Sequence, residues 1–268
     1  MKQCPVNHYS RKNIGYLFAI QEMANVIAET DDDNFPYEGK YLQNISCMID
    51  AEIIQDQGWI NIYKFFTDIR VWPRGFPLEY VNESFLFSNL QPKQPISSPV
   101  QQFLANRNPD VDAIYRLTNE VNIVFKDRWI ALSKNSYCPF NSQNTIWFPE
   151  AYPLLYLPSF VSFRMTDIWR SLVAIRCLHA QNLFITFGPA TMFQERNTHN
   201  LLNDFKEEIP GYFYNNMIMQ NLEKLSLSST NMLSNLYKCY ESLVKADFIP
   251  KQELHLVKLW ISEIEAFL

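Results

Sequence analysis

The segment SRKNIGYLFAIQEMANVIAETDDDN, residues 10–34, decides the fold. Apolar residues such as Ile14 and Leu17 recur at helical spacing, and Ser10 precedes them as a candidate N-cap, so the first part predicts a helix. The apolar stretch NVIAET that follows predicts a short parallel strand. Three carboxylates, Asp31 to Asp33, come directly after it. In open α/β sheets, ligands bind beyond the carboxyl ends of the strands, so the sequence predicts an acidic loop at a ligand-binding edge.

The rest of the chain predicts strands that alternate with helices. Thr166 marks the start of a predicted helix, and residues 211–268 predict a helical extension because apolar residues recur at three and four positions. Four segments predict strands: WINIYKFF (59–66), DVDAIYRLT (110–118), WIALSK (129–134) and LFITFGP (183–189). The Pro- and Ser-rich stretch LQPKQPISSPV (90–100) predicts a surface loop. This order predicts a mixed α/β domain over residues 1–210, followed by the helical C-terminal extension.

Composition excludes several classes of protein. A net charge of −5, with no run of five or more Lys or Arg, argues against a nucleic-acid surface. Five cysteines, far apart and odd in number, predict neither a disulfide framework nor a zinc site. No apolar run has the length of a signal peptide or of a membrane-spanning helix.

The acidic triplet has two interpretations from its residues alone. Adjacent carboxylates on a loop suit Mn²⁺ or Mg²⁺, which prefer oxygen ligands and keep water and substrate phosphates in their coordination shell. Acidic turns are also common as solvated surface loops. The triplet by itself leaves both interpretations open.

Longer blocks of sequence carry a family resemblance. The segment at residues 10–34 resembles that of GT-A glycosyltransferases, with a basic-Asn-x-Gly helix start, an apolar strand and a D-x-D motif. The blocks WPRGFPLEYV, NPDVDAIYRLT, CPFNSQNTIWF and VSFRMTDIWRS resemble, in this order, the STELLO family of Golgi glycosyltransferases. The similarity extends from about Ser10 to Asp204. It implies a GT-A-like, mixed and mainly parallel sheet flanked by helices, with the helical C-terminal extension.

The resemblance implies a metal site in the acidic loop. Asp31 and Asp33 would be the metal-side carboxylates for Mn²⁺ or Mg²⁺, with Asp32 beside them contacting the nucleotide sugar. His199, in ERNTHNLLNDF, would be a further metal ligand, although a lone histidine is more often a surface or capping group.

The resemblance also implies contacts to a nucleotide-sugar donor. Arg11 and Lys12 would lie near the diphosphate and Asn13 near the nucleotide. The loop FNSQNT would bind sugar hydroxyls through Asn141, Ser142, Gln143 and Asn144. A satisfied polar turn is the alternative for that loop.

Three charged residues have open roles. The resemblance implies that Asp167 is the catalytic base that deprotonates the acceptor hydroxyl. The alternative is an Asp that stabilises the helix dipole in the first turn. Arg74 and Arg116 would contact a phosphate or a sugar carboxylate, or form structural ion pairs.

Two main functions follow as expectations. The first is a metal-dependent glycosyltransferase of the Golgi lumen that moves a sugar from a nucleotide sugar, UDP-linked by expectation, to a glycan acceptor. The second is an inert or weak relative that acts as a partner or assembly factor for glycan synthesis. A nucleotidyltransferase is a weaker third, since the chain lacks its Gly-rich loop. A GT-A domain carries two strands before its D-x-D segment, whereas 30 residues precede Asp31, so the resemblance implies an N-terminally truncated domain.

Overall fold

The computed structural model of the protein describes residues 4–83 and 89–267. The helices are α1 (Lys12–Gln21), α2 (Ala113–Thr118), α3 (Thr166–Ala180), α4 (Leu201–Glu223), α5 (Met232–Lys245) and α6 (Glu253–Phe267). The strands are β1 (Ile27–Thr30), β2 (Asn34–Pro36), β3 (Met48–Ile54), β4 (Gly58–Trp59), β5 (Leu90–Ser97), β6 (Val100–Asn106), β7 (Ile130–Ala131), β8 (Ser136–Tyr137), β9 (Asn144–Trp147) and β10 (Ile185–Gln194). Within the described residues, no helix is long and apolar enough to cross a bilayer.

An eight-stranded sheet forms the centre of the molecule, in the order β1-β9-β6-β10-β7-β3-β5, with β2 paired to β10. The prediction of a mixed α/β fold with flanking helices and a helical C-terminal region is confirmed. The parallel pairs are the long central pair β6–β10 and the pair β3–β7 in this sheet, while its other neighbouring strands run antiparallel. Parallel pairing is therefore concentrated at the centre and does not extend to the edges.

The first predicted elements form, with one difference in direction. A 3₁₀ turn at Tyr9–Arg11 precedes α1, so Arg11 occupies the N-cap position and Ser10 lies one residue too early to cap that helix. β1 is the predicted strand, but it pairs with β9 in the antiparallel direction and lies at the end of the sheet order. The acidic loop still follows its carboxyl end.

Three other segments differ from their predictions, each for a local reason. DVDAIYRLT forms α2 rather than a strand because the Asp112 carboxylate accepts a hydrogen bond from the Tyr115 N–H and caps the helix. WINIYKFF forms β4 and then a 3₁₀ turn that Asn61 caps in the same way. LQPKQPISSPV contains β5, the last strand of the sheet order, where proline is tolerated because one side of the strand has no ladder partner.

The predicted boundary between residues 210 and 211 falls inside α4. Buried side chains of the three C-terminal helices, including Leu222, Leu236 and Trp260, belong to the same apolar cluster as α3 and the sheet. A separate extension would need its own core. The helical region is therefore packed into the domain.

A buried ion pair joins β1 to α3. The Nη1 of Arg170 lies 2.9 Å from Oε1 of Glu29, and both side chains are 1% exposed. Glu29 also accepts hydrogen bonds from Trp147 Nε1 (2.6 Å) and from the hydroxyl of Tyr16. Burial raises the pKa of Glu29, but the guanidinium of Arg170 outweighs it, so the net pKa is lowered and the carboxylate is ionised.

Removal of one member of this pair should destabilise the protein strongly. Glu29→Leu leaves Arg170 buried without a counter-charge, so we expect the free energy of unfolding to fall by about 3–5 kcal/mol. The double variant Glu29→Leu/Arg170→Met should lose much less, because no lone charge remains. Urea denaturation measures both.

The exposed pair Asp68–Lys126 supplies the matched control. Asp68→Leu should cost at most about 1 kcal/mol, because surface ion pairs contribute little. If Glu29→Leu cost no more than Asp68→Leu, the buried pair would not hold β1 to α3.

Candidate active site

A cleft opens beside the short loop that connects β1 to β2. Six predicted site residues from four segments of the chain line it: Asp31, Asp32, Asp33, Gln143, Asp167 and His199. They come from the loop after β1, the residue before β9, the N-terminus of α3 and the segment before α4. The structure thus brings these six residues together in one cleft, while their roles stay predictions.

Asp31 makes long, weak contacts with its polar neighbours. Its Oδ1 lies 3.8 Å from Lys12 Nζ and 3.5 Å from the Tyr9 hydroxyl, and about a third of its side chain (33%) is exposed. Burial raises the pKa of Asp31, Lys12 lowers it, and the neighbouring carboxylates Asp110 and Asp167 raise it, so that the net pKa is about 7. Negative charge at this position is incompletely neutralised by the protein.

Asp33 holds the acidic loop to the end of β10. Its Oδ1 accepts a hydrogen bond from Gln194 Nε2 (2.8 Å), and its Oδ2 accepts one from the Asn197 N–H (3.1 Å). The side chain is buried. A carboxylate has about four acceptor positions, so Asp33 keeps capacity for a further ligand while it fixes the loop.

The residues fit a divalent cation in part. Among the described residues, no three His, Cys, Asp or Glu side chains converge as a ready-made metal cage. His199 is directed at Asp204, with Nδ1 3.4 Å from its Oδ2. The predicted set of Asp31, Asp33 and His199 is therefore not preassembled. Mn²⁺ and Mg²⁺ are commonly held by one or two carboxylates plus water and phosphate, and Asp31 and Asp33 meet that smaller requirement.

Asp167 takes part in a carboxylate–arginine–carboxylate bridge. Arg74 donates to Asp167 through Nη1 (3.0 Å) and Nη2 (2.8 Å), and its Nε donates to both oxygens of Asp110 (2.9 Å each). Burial lowers the pKa of Arg74, but the two carboxylates outweigh it and hold the pKa well above its ordinary value. Arg74 is thus a permanent cation that bridges both acids.

The loop predicted to bind sugar hydroxyls is mostly occupied by internal hydrogen bonds. Asn141 accepts from the Gln143 N–H, Ser142 accepts from Arg170 Nη2, and Asn144 donates to Leu104 O. These three side chains are buried and absent from the lining of the cleft, which leaves Gln143 as the member of the loop that faces it. The polar-turn interpretation therefore applies to Asn141, Ser142 and Asn144.

The start of α1 lies partly at the edge of the cleft. Arg11 is exposed and absent from the lining, whereas Lys12 reaches Asp31 and donates to the Tyr9 hydroxyl (2.8 Å). Asn13 is fully buried and exchanges two hydrogen bonds of 2.8 Å with the backbone of Leu157. Its amide is therefore a structural tie, and its placement gives no support to a nucleotide contact.

Comparison with known proteins shows similarity to one family. A family model described as STELLO glycosyltransferases matches residues 164–267, a span that includes Asp167 and α4 to α6. "Probable glycosyltransferase STELLO2" from Arabidopsis thaliana is 30% identical over 211 residues, covering 70% of this chain and 27% of the relative. "Probable glycosyltransferase STELLO1" from the same plant is 30% identical over 210 residues, with the same coverage.

Over 70% of its length the chain is thus similar to the STELLO glycosyltransferases. It spans about a quarter (27%) of the length of the curated relatives that it matches.

The cleft of this STELLO-like chain contains further polar residues that the sequence interpretation did not assign, among them Asp110, Arg164, Gln194 and Arg196. Asp110 and Arg164 lie in two blocks that carry the family resemblance, so a charged residue in either block could have been predicted as a site residue. Gln194 and Arg196 follow a buried strand without any recognisable motif. Their position depends on β10 running beside β2, which pattern alone does not indicate.

Gly75 places Arg74 in the bridge of the STELLO-like site. Its φ of +84° lies in the left-handed region, which glycine adopts without strain. A Cβ at this position would lie 2.5 Å from Cγ2 of Ile168 and 3.3 Å from Cβ of Pro139. The WPRGFP turn therefore requires glycine directly after the arginine.

Substitution of Gly75 should disturb both stability and the bridge. Gly75→Ala combines left-handed strain with a steric clash, so we expect a loss of about 2–4 kcal/mol in the free energy of unfolding. Gly15→Ala is the matched control, because nothing lies within 4 Å of a Cβ there and alanine favours the interior of α1. Equal melting temperatures for the two variants would contradict this role of Gly75.

Proposed function

We propose that this chain is a metal-dependent glycosyltransferase that moves a sugar from a nucleotide sugar, UDP-linked in the simplest case, to a glycan acceptor. The observation that carries the proposal is the cleft itself. It combines an acidic loop after β1 with an acid at the start of α3. Asp33 of the loop and Asp167 of the helix are 134 positions apart in the sequence. Similarity to the STELLO glycosyltransferases supports the same reaction class.

The acidic loop would hold the donor diphosphate through a cation. Asp31 and Asp33 would bind Mn²⁺ or Mg²⁺, and this cation would neutralise negative charge on the diphosphate leaving group. Asp32 and Lys12 would flank the nucleotide sugar at the mouth of the cleft, where Asp32 is exposed and Lys12 is near Asp31. His199 would join only after release from Asp204.

Asp167 would accept the proton of the attacking acceptor hydroxyl. Its carboxylate lies at the N-terminus of α3, and Arg74 holds it in a fixed orientation. The acceptor oxygen would then attack the anomeric carbon as the bond to the diphosphate breaks. Gln143, whose Nε2 donates to Asn108 O at 3.2 Å, lies on the same wall and would orient a sugar hydroxyl.

A non-catalytic role is the second candidate, and one observation favours it. Both oxygens of Asp167 are bound by Arg74, and the Ser142 N–H lies 3.3 Å from Oδ2, so the acid is largely occupied. In this role the chain would assist other glycan-synthesis proteins as a partner or assembly factor. In either role the protein would be located in the Golgi lumen, as the family resemblance implies.

Joint binding of cation and donor tests the metal site. Mn²⁺ and a UDP-sugar should stabilise the protein more together than the sum of their separate effects, because the ion bridges carboxylate and diphosphate oxygens. A ligand at about one hundred times its dissociation constant adds roughly 2.7 kcal/mol. At roughly 2–4 °C per kcal/mol, we expect the melting temperature to rise by about 5–10 °C.

Asp31→Asn should remove most of this synergy, because an amide is a weaker ligand than a carboxylate. Glu38→Gln, an exposed change outside the cleft, is the matched control and should retain it. Chelator should abolish the shift in every variant. Additive effects of Mn²⁺ and UDP-sugars across a panel of donors, in folded protein, would contradict the metal site.

Transfer kinetics test the base. Asp167→Asn should lower turnover by roughly 10²–10⁴-fold with donor binding nearly unchanged. Asp110→Asn is the matched control, because it removes the other carboxylate of Arg74 and leaves the base in place. Equal losses in the two variants would assign Asp167 a positioning role, and full activity of Asp167→Asn would exclude it as the base.

A further inference from the structure

A run of aromatic side chains leads away from the cleft along β2 and β10. Phe35 in β2 stacks on Phe193 in β10, with ring centroids 5.4 Å apart and an interplanar angle of 16°, and 45% of Phe35 is exposed. The Tyr37 ring follows, with its centroid 5.5 Å from that of Phe193. These three rings lie outside the lining of the cleft, but Asp33 and Gln194, which neighbour them in the two strands, belong to it. The aromatic run therefore begins at the edge of the cleft.

Charged side chains continue this run to Trp129. The Nζ of Lys40 lies 5.8 Å from the centre of the Tyr37 ring and 3.7 Å from Oδ2 of Asp127. Both charged side chains are more than half exposed (52% and 70%). Asp127 and Trp129 in turn line the same two cavities. A continuous series of neighbours thus connects Phe35 with Trp129 across the surface.

Two adjacent cavities of about 260 and 240 Å³ meet at Trp129. Both are lined by Asp127, Trp129 and Pro189. Polar side chains complete the lining, namely Glu52, Lys93 and Arg128 in the first cavity and Lys40, Gln43 and Asn44 in the second. A sugar presents an apolar C–H face and a rim of hydroxyl groups. An indole surrounded by carboxylate, amide and ammonium groups matches both of these features.

The indole of Trp129 is held in place by the sheet. A Cβ at position 188 would lie 2.8 Å from Cζ3 of Trp129, so Gly188 provides the space that the ring occupies. The ring also packs edge-on against Phe103, with centroids 5.1 Å apart and an interplanar angle of 78°. These contacts fix the indole, while its side chain stays half-buried. A ring that is already ordered loses little conformational entropy when a ligand stacks on it.

The cleft and the second cavity lie close together along two strands. Asp33 lines the cleft, and Gly39, six positions later, lines the cavity. Six residues span at most about 20 Å. The same order occurs in β10, where Gln194 lines the cleft and Thr191 lines the cavity. A single sugar is too short to occupy both places, whereas a chain of several sugars can do so.

We propose that an aromatic track, formed by Phe35, Phe193, Tyr37 and Trp129, binds an extended glycan, so that the acceptor of this chain is an oligo- or polysaccharide. The rings would cover C–H faces of successive sugars, and Asp127 would accept hydrogen bonds from their hydroxyl groups. The inference rests on the glycan acceptor of the proposed function. It needs neither the metal nor the base.

Binding of oligosaccharides to the whole chain tests the proposal. Calorimetry, without donor or metal, measures the affinity for β-linked gluco-, xylo- and manno-oligosaccharides from disaccharide to octasaccharide. In at least one series, the affinity should rise about tenfold or more between disaccharide and hexasaccharide, because each added sugar reaches a further part of the track.

Variants assign this gain in affinity to the track. Trp129→Ala should lower the affinity for long oligomers about tenfold, the scale of one well-packed aromatic contact. Phe35→Ala and Asp127→Ala should lower it severalfold, and both side chains are exposed enough for these variants to fold. Phe213→Ala is the matched control, because Phe213 is 69% exposed on α4 and lies outside the track. Melting temperatures confirm that each variant is folded.

Each outcome decides the proposal. A gain with length that Trp129→Ala or Asp127→Ala removes, and that Phe213→Ala retains, supports it. Absence of a gain with length in all three series overturns it. A gain that survives both Trp129→Ala and Asp127→Ala places the glycan elsewhere and overturns it.

The donor supplies the last comparison. If Phe35→Ala weakens binding of a UDP-sugar with Mn²⁺ and leaves oligosaccharide binding unchanged, Phe35 belongs to the donor site and the continuous track is overturned. Failure of the proposed transfer would show separately, as loss of joint binding of Mn²⁺ and UDP-sugar, because the oligosaccharide titration requires neither ligand.

Discussion

The buried contact between Glu29 and Arg170 controls the geometry of the cleft. Two unlike charges taken out of water must remain paired, so β1 and α3 cannot separate without exposing or stranding a charge. Glu29 precedes Asp31 by two positions along an extended chain, and Arg170 follows Asp167 by three positions on a helix. Both spacings place the paired residue near its acidic neighbour. The ion pair therefore sets the separation between the acidic loop and the acid of α3.

The polar residues of the cleft divide into two electrostatic regions. Around Asp31, carboxylates outnumber cations, and burial together with like charge raises the pKa of Asp31 to about 7. Around Arg116, guanidinium groups repel one another, and burial together with that repulsion lowers the pKa to about 10. Arg74 bridges Asp110 and Asp167, so one positive charge offsets only part of the charge of two acids. A cation near the first and an anion near the second would complete the charge balance that folding leaves open.

Local sequence patterns predicted the local secondary structure, but they did not predict pairing between residues far apart in the chain. Helical spacing identified α1, and the apolar run before Asp31 identified β1, because each depends on neighbours within a few positions. The convergence of Asp31 and Asp167 followed from the family resemblance. A single sequence gave no sign that Arg170 pairs with a carboxylate 141 positions away. The polar turn at Asn141 also follows from tertiary hydrogen bonds that sequence alone does not contain.

The hydrogen bonds from Arg74 to Asp167 have a consequence for selectivity against water. Under the proposed reaction, an unoccupied base would activate any water molecule in the cleft and hydrolyse the donor without transfer. Arg74 binds both oxygens of Asp167, and the N–H groups of Ile168 and Ser142 take the remaining acceptor positions. A proton acceptor therefore becomes free only when an incoming hydroxyl displaces one of these interactions. A large acceptor held by several contacts can offset this cost, whereas a single water molecule has few contacts with which to do so. The bridge would thus protect an activated sugar from wasteful hydrolysis.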